Sequence, residues 1–159
     1  MLDLAATPQS QKPRMTHDCY STKRTTVWPQ ERDGAPGYAI KYADGYISWC
    51  PEQSFARDYR SVHGGHLTFG QAIESLKSGH RVRRLGWNGK GMWLKLQRGS
   101  TVLAEHAKGE SAVKARAEEG EDQIVVLPHI DMRAADGGIV IGWLASQTDM
   151  LADDWEELA

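Results

Sequence analysis

A loop framed by three glycines, residues 86–91 with the sequence GWNGKG, carries the side chains best suited to hold a small polar ligand. Glycines let the backbone approach a ligand closely or adopt positive φ. Trp87 offers a face for stacking, Asn88 a hydrogen-bond donor and an acceptor, and Lys90 a positive charge for a phosphate. The sequence equally allows a tight loop in which Trp87 packs in the core, so both interpretations stay open at this point.

A second candidate begins at Trp143 and continues into a helix capped by Ser146. The N-terminal amides of such a helix favour an anion or a ribose hydroxyl, and Gln147 and Asp149 follow within the first turn. The alternative is a buried tryptophan that precedes an ordinary serine cap. Together the two motifs supply indoles, amides and positive charge, which are the components of a nucleotide-binding pocket.

Two arginines precede the glycine loop on a predicted strand. Because side chains alternate between the two faces of a strand, Arg81 and Arg83 share one face, and Val82 and Arg84 share the other. Guanidinium groups near such a loop could hold a pyrophosphate. Exposed arginines on an edge strand are an equally ordinary explanation.

Catalytic chemistry has little support in the sequence, which contains no nucleophile elbow, phosphate loop or dinucleotide fingerprint. His63 and His66 are the only close pair among six histidines and have no third metal ligand nearby, so we expect neither a metal nor a cofactor. The carboxylates near the chain end are interpreted as a solvated surface. They are Asp149, Asp153, Asp154, Glu156 and Glu157.

Charge and composition narrow the class of protein. The 159 residues include 19 Lys and Arg against 21 Asp and Glu, which argues against general nucleic-acid or anionic-membrane binding. The longest nearly apolar stretch, residues 137–145, is far shorter than the roughly 20 residues that span a bilayer. Residues 1–14 lack the apolar core of a secretion signal, and Cys19 and Cys50 show no metal or redox spacing. We therefore expect a cytoplasmic protein.

The elements that would position these residues begin with a clear helix. Thr68 and Gln71 fit a capping box, and Gly79 fits the stop at the other end. Residues 99–122 are rich in Glu, Ala, Lys and Gly and predict a surface insertion that is partly helical. The other predicted elements are strands at 81–84, 92–97, 123–132 (interrupted at Pro128) and 139–143, and a helix from Ser146 to Leu151.

The first part of the chain has a different pattern. Residues 1–36 predict a flexible arm, and 37–60 predict a small unit in which a hairpin with an ADG turn leads to a helix after Pro51. Residues 61–66 predict a linker to a C-terminal domain at 67–159. The fold class is α+β, with a small antiparallel sheet and two short helices in the C-terminal domain.

Four ordered motifs of that domain are similar to those of a known family. They are LTFGQA at 67–72, GHRV at 79–82, GWNGKGM at 86–92 and WLASQTDMLADDW at 143–155. In this order and spacing they resemble the phage-encoded Thoeris anti-defence family of the second type, a domain formerly of unknown function. The segment GYAIKYADGYISW at 37–49 resembles short uncharacterised segments of tailed phages, which indicates a phage or prophage source.

The resemblance implies a protein that sequesters a signal and performs no chemistry on it. Members bind the cyclic ADP-ribose-type nucleotide made by a TIR-domain protein, so that the Thoeris effector is not activated. Some members also hold cyclic di- or trinucleotides. Members form homo-oligomers with pockets near subunit contacts, so the resemblance implies a dimer or a tetramer here.

The resemblance also assigns residues to the pocket. It places Trp87 and Asn88 against the adenine or ribose, and it makes Arg81, Arg83 and Lys90 the candidates for the diphosphate. The same or a facing pocket would be lined by Phe69, Trp143, Ser146, Gln147 and Asp149.

Two other functions remain open on the sequence. A phage structural or partner-binding module would use its tryptophans for core and interface packing, and Trp93 and Trp155 are predicted packing residues in any case. A nucleotide phosphohydrolase would use the carboxylates near the chain end. The first predicts no small-molecule shift in melting temperature, and the second predicts metal-dependent turnover that is lost in Asp149→Ala.

Overall fold

The computed structural model describes residues 23–158, and the elements of this range confirm the α+β class. In chain order the strands are β1 (Thr26–Pro29), β2 (Gly37–Lys41), β3 (Ile47–Pro51), β4 (Arg81–Arg84), β5 (Trp93–Gln97), β6 (Ser100–Leu103), β7 (Gln123–Val126), β8 (His129–Arg133), β9 (Ile139–Val140) and β10 (Trp155–Leu158). The α-helices are α1 (Glu52–Asp58), α2 (Phe69–Lys77), α3 (Ala112–Glu118) and α4 (Gln147–Met150).

Residues 23–60, called here the N-terminal unit, contain a three-stranded antiparallel sheet with α1 packed on it. The helix is held by stacked aromatic rings, because Tyr38 of β2 lies 4.1 Å from Phe55 and Phe55 lies 4.8 Å from Tyr59, measured between ring centroids. The predicted hairpin and the helix after Pro51 are confirmed.

The predicted flexible arm is wrong over part of its length. The main chain of Thr26–Pro29 pairs in antiparallel register with β2, from Thr26 opposite Lys41 to Pro29 opposite Tyr38. No apolar pattern in the sequence indicates this strand, because its four residues all remain exposed on the edge of the sheet. Residues 1–22 of the predicted arm lie outside the described residues.

The C-terminal part is built on a five-stranded antiparallel sheet in the order β10-β4-β5-β8-β9. Val82 on β4 pairs with Leu94 on β5, and both side chains are fully buried. Ala72 and Leu76 of α2 pack on the same face and complete the core there. Burial of these apolar side chains, at about 25 cal/mol per Å² of surface removed from water, is the main stabilising contribution.

The ends of α2 follow the sequence prediction. Thr68 Oγ accepts a hydrogen bond from the backbone of Gln71, and the Gln71 side chain accepts one from the backbone of Thr68, so the capping box is present. After Ser78 the chain reaches Gly79 at φ 91°, a conformation that favours glycine.

Residues 100–126 form a small arm in which β6 pairs with β7 and α3 lies between them along the chain, so the partly helical segment predicted at 99–122 is confirmed. The prediction of one long strand over 123–132 is wrong. Proline at 128 has no backbone N–H, and around it the chain leaves the two-stranded sheet as β7 and enters the five-stranded sheet as β8. The predicted strand at 139–143 is regular only over Ile139–Val140.

β10 is the first strand in the order of the five-stranded sheet, and residues 62–67 cover its outer edge. One of its sides pairs with β4, with Trp155 opposite Arg84. On the other side the backbone of Leu67 exchanges two hydrogen bonds with Trp155, and Glu157 N donates to the carbonyl of Val62 at 2.7 Å. Residues 62–67 therefore flank the sheet and do more than link two parts of the chain.

Two further predictions concern membrane-spanning segments and the two cysteines. Across residues 23–158, none of the helices is long and apolar enough to cross a membrane. Cys50 is half-buried on β3, and Cys19 lies outside the described residues.

Candidate functional site

Arg84 lies at the centre of the candidate site. The alternation of β4 places it on the same face as Val82, where its side chain is only 12% exposed. Its Nη1 donates to Asp149 Oδ1 at 3.0 Å, and its Nε donates to Asp154 Oδ1 at 2.8 Å. Asp154 Oδ2 also accepts a hydrogen bond from the backbone of Gly86 at 2.7 Å. The Arg84 guanidinium thus binds α4 through Asp149 and the residue before β10 through Asp154, and Asp154 in turn holds the backbone of the glycine loop.

Asp149 accepts hydrogen bonds on both carboxylate oxygens. Oδ1 accepts from Arg84 and from Trp87 Nε1, each at 3.0 Å, while Oδ2 accepts from Ser146 N at 3.1 Å and Ser146 Oγ at 2.6 Å. Burial raises the pKa of Asp149, but the hydrogen bonds from Ser146, Trp87 and Arg84 outweigh it and lower the pKa to about 2. The side chain is therefore a buried anion at neutral pH and holds the two predicted motifs together.

The hydrogen bonds of Arg84 also fix the charge states around it. The Asp154 and Asp149 carboxylates raise the pKa of Arg84, and burial opposes them in part. The Arg84 hydrogen bond in turn lowers the pKa of Asp154, an effect to which the Gly86 amide adds. Opposite charges within hydrogen-bond distance stabilise the charged forms.

Three indoles meet beside this network and form what we call the tryptophan cluster: Trp87, Trp143 and Trp155. Trp87 packs edge-on against Trp155 with ring centroids 5.4 Å apart, and Trp143 lies 6.3 Å from each of the other two. Trp155 is fully buried, whereas Trp87 and Trp143 are half-buried. The edge-on geometry is the arrangement that aromatic quadrupoles favour, and it leaves part of the two outer indoles accessible.

A cleft of about 360 Å³ opens next to Trp87 and falls within the size range of small-molecule sites. Its lining includes two arginines, one lysine and part of the glycine loop. Gly89 has no room for a side chain, since a Cβ there would lie 2.5 Å from Ala135 Cβ and from Met92 Sδ. The lining residues are Arg83, Arg84, Leu85, Trp87, Gly89, Lys90, Gly91 and Met92.

The structure brings several of the predicted site residues together. Trp87, Ser146 and Asp149 are linked directly by hydrogen bonds, and Trp143 packs on Trp87. Phe69 lies against Trp155, 5.6 Å between ring centroids, and so lies behind the cluster.

Other predicted residues lie apart from the cluster. Lys90 lines the cleft, and Asn88 lies exposed on the same loop. Gln147 is exposed at the start of α4. Arg83 lines the cleft but its Nε and Nη2 lie 2.7 Å from Glu156 Oε1, and Arg81 lies over the Trp93 ring, 5.5 Å from its centroid.

The interpretation of the acidic chain end as a solvated surface is wrong for most of its members. Asp149, Glu156 and Glu157 are buried, and each carboxylate has an arginine partner: Arg84, Arg83 and Arg24 respectively. The error arises because neutralising partners lie far away in the sequence, where local charge patterns give no sign of them. Asp153 is exposed as expected.

Sequence reasoning did not find the roles of Arg84, Asp154 and Trp155. The signal for Arg84 was present, because alternation placed it on the apolar face beside Val82, where an arginine needs a buried anionic partner. Trp155 is a packing residue as predicted, but it packs against both indoles of the candidate site. Within residues 23–158, no three His, Cys, Asp or Glu side chains are grouped closely enough to hold a metal ion.

The site thus consists of a glycine loop that borders a cleft and a capped helix that one aspartate fixes to that loop, within an α+β domain. The chain belongs to the Thoeris anti-defense 2-like family, whose domain model matches residues 67–158.

The chain is similar to the protein named Thoeris anti-defense 2 from Bacillus phage SP01, with 37% identity over 90 residues. The match covers 57% of this chain and 92% of that relative. The family model spans residues 99–122 and leaves the N-terminal unit outside the matched range.

Proposed function

We propose that the protein inhibits Thoeris defence by binding a cyclic ADP-ribose-type nucleotide made by a TIR-domain protein. Sequestration of this signal keeps the Thoeris effector inactive, and the ligand is released intact when the protein unfolds. The observation that carries the proposal is the cleft beside Trp87, where an accessible indole lies next to the cationic side chains of Arg83 and Lys90 in a domain of the Thoeris anti-defense 2-like family.

Each part of such a ligand has a matching group near the cleft. The adenine stacks on Trp87, an interaction that contributes roughly 1–3 kcal/mol per base in nucleic-acid binders. Asn88 offers an amide to a ribose hydroxyl, and Lys90 offers a charge to the diphosphate. Arg83 shares its charge with Glu156, so it is the weaker of the two cations for this role.

Binding without cleavage is supported by the state of the nearby carboxylates. Asp149 accepts four hydrogen bonds, and Asp154 accepts hydrogen bonds from Arg84 and from the backbone amide of Gly86. Their pKa values are lowered, and a general acid for neutral pH needs a pKa raised towards 7. Asp149 accordingly acts as a positioning residue for Trp87 and makes no direct contact with the ligand.

A homo-oligomer, a dimer or a tetramer, is supported by the apolar surface at β9. This strand ends the five-stranded sheet. Ile141 is 76% exposed and Leu144 is 89% exposed, next to Ile139 and Val140 at about half exposure. Contiguous exposed apolar side chains of this kind are typical of subunit contacts, and the surface adjoins Trp143 of the candidate site.

The central experiment mixes the protein with cyclic ADP-ribose isomers and with cyclic di- and trinucleotides, removes unbound ligand by filtration and heats the protein. We expect one ADP-ribose isomer to be retained and then recovered unchanged by chromatography. The same isomer at 100 times its Kd should add about 2.7 kcal/mol to the free energy of unfolding.

Each alternative has a distinct result. Recovery of a cleaved product that requires a divalent metal would identify a phosphohydrolase. Absence of retention and of any melting shift for the whole panel would favour a structural or partner-binding module. Retention of a cyclic oligonucleotide alone would keep sequestration but change the ligand class.

A further inference from the structure

Glu157 is a carboxylate that the fold buries on β10, with a side chain only 5% exposed. Its Oε1 accepts hydrogen bonds from Ser75 Oγ and from Arg24 Nη1, each at 2.7 Å. His80 Nδ1 lies 3.9 Å from Oε2 on the other side. A carboxylate in such a position is costly unless a cation and hydrogen bonds compensate for its lost hydration.

The arginine that compensates Glu157 comes from outside the family domain. Arg24 lies just before β1 in the N-terminal unit, 133 residues away along the chain, whereas the family match begins at Leu67. Its Nη1 also lies 3.1 Å from His80 Nε2. The two parts of the chain therefore meet at a buried charge that belongs to one part and a cation that belongs to the other.

Residues 61–66, called here the connecting segment, also contact the strand that carries Glu157. Glu157 N donates to Val62 O at 2.7 Å, and His63 Nδ1 lies 3.2 Å from Glu157 O. Gly64 N donates to Glu156 Oε2 at 2.8 Å. The connecting segment is thus tied to β10, but the N-terminal unit beyond it needs a contact of its own to keep a fixed position.

We propose that Arg24 is a clasp that docks the N-terminal unit onto β10 by neutralising Glu157. With the clasp closed, the N-terminal unit and the family domain tumble as one body. When the charge pair is broken, the N-terminal unit moves separately on residues 59–61. Trp155 lies two residues before Glu157 on the same face of β10, so the clasp is formed on the strand that supports the tryptophan cluster.

The test is ¹⁵N relaxation on the full chain, which gives a rotational correlation time for each part. We expect amides of β2 and β5 to report the same correlation time in the unaltered protein. In Arg24→Ala the value for β2 should fall below that for β5. Glu157→Gln should have the same effect, because glutamine still accepts the hydrogen bond from Ser75 but carries no charge for Arg24.

Two further variants separate docking from general loss of structure. Arg24→Lys keeps the charge and should retain common tumbling, whereas Arg57→Ala removes an exposed ion pair with Asp58 within the N-terminal unit and should change nothing. Native chemical shifts in β5 and β8 establish that the domain is folded. If Arg24→Ala lacks them, Glu157→Gln and Arg24→Lys decide the result. Separate tumbling in the unaltered protein, or common tumbling in Glu157→Gln, would overturn the clasp.

Discussion

Asp149 is the residue on which the candidate site depends most, because its two oxygens join three elements that the chain brings from distant positions. Arg84 reaches it from β4, Trp87 from the glycine loop and Ser146 from the start of α4. A carboxylate accepts four hydrogen bonds in this geometry, whereas an amide oxygen accepts at only one of the two positions. No neutral replacement reproduces the arrangement.

The lowered pKa of Asp149 makes part of the stability depend on pH. Its folded-state pKa of about 2 lies below the ordinary value of 3.8, so the contribution is fully present above pH 4 and is lost as pH falls towards 2. The difference corresponds to about 2 kcal/mol. Urea unfolding at a series of pH values should show that Asp149→Asn is less stable at pH 7 and loses less stability between pH 4 and 2.

The matched control for this experiment is Asp153→Asn, because Asp153 is an exposed neighbour in the same part of the chain. We expect its unfolding free energy to follow that of the unaltered protein across the whole range. If Asp149→Asn also followed that curve, the hydrogen bonds to Asp149 would contribute nothing net to the fold.

Trp87 packs against Trp155 and, in the proposed function, also binds the ligand. Two substitutions separate these roles. Trp87→Phe keeps a ring against Trp155 but removes the N–H that donates to Asp149, so we expect a loss of about 1–3 kcal/mol in the free energy of unfolding. Trp87→Ala also removes the stacking face, and calorimetry should show ligand affinity reduced about tenfold or more. Full affinity in a folded Trp87→Ala protein would move the ligand away from this cleft.

At the scale of elements, sequence predicts structure where the controlling interactions are local. The start of α2 could be predicted because Thr68 and Gln71 satisfy each other's backbone within one turn. The burial of Glu157 could not, because its partners Arg24 and Ser75 lie 133 and 82 residues away. For the same reason both candidate motifs were predictable as separate segments, while the Asp149 bridge between them was not.

The two capping boxes of the domain offer a comparison at the same scale. Thr68→Ala removes a cap on an exposed helix start and should cost about 1 kcal/mol, the usual value for such a cap. Ser146→Ala removes an equivalent cap, but the Ser146 hydroxyl also donates to the buried Asp149 carboxylate at 2.6 Å, whereas the Thr68 hydroxyl donates to the exposed, neutral Gln71 Oε1 at 3.2 Å. We therefore expect thermal or urea unfolding to show a larger loss for Ser146→Ala than for Thr68→Ala.

Coupling between Ser146 and Asp149 provides the check on that comparison. The combined Ser146→Ala/Asp149→Asn variant should lose less stability than the two single losses added together, since both substitutions break the hydrogen bond from Ser146 Oγ to Asp149 Oδ2. The combination of Thr68→Ala with Asp149→Asn should be additive. Equal losses for the two caps would mean that Ser146 acts only as a helix cap.

At the scale of the whole molecule, β10 is the strand at which the main parts of the structure meet. It pairs with β4 on one side and with residues 62–67 on the other, and it carries Trp155 into the core. The family domain, the connecting segment and the N-terminal unit all meet it near the chain end. Truncation here would therefore affect the candidate site and the proposed clasp together.

The proposed assembly rests on the apolar surface beside β9, and a charge placed there should disrupt it. Leu144→Asp puts a carboxylate at a side chain that is 89% exposed, so it leaves the folded subunit intact but would have to be desolvated in a subunit contact. Light scattering after gel filtration should give an oligomer for the unaltered protein and a mass near the 17.7 kDa of one chain for Leu144→Asp. Val125→Asp, at a 68% exposed side chain on the β6–β7 arm, should retain the oligomer. If Val125→Asp dissociates the protein and Leu144→Asp does not, the contact lies on the arm and the surface at β9 is free.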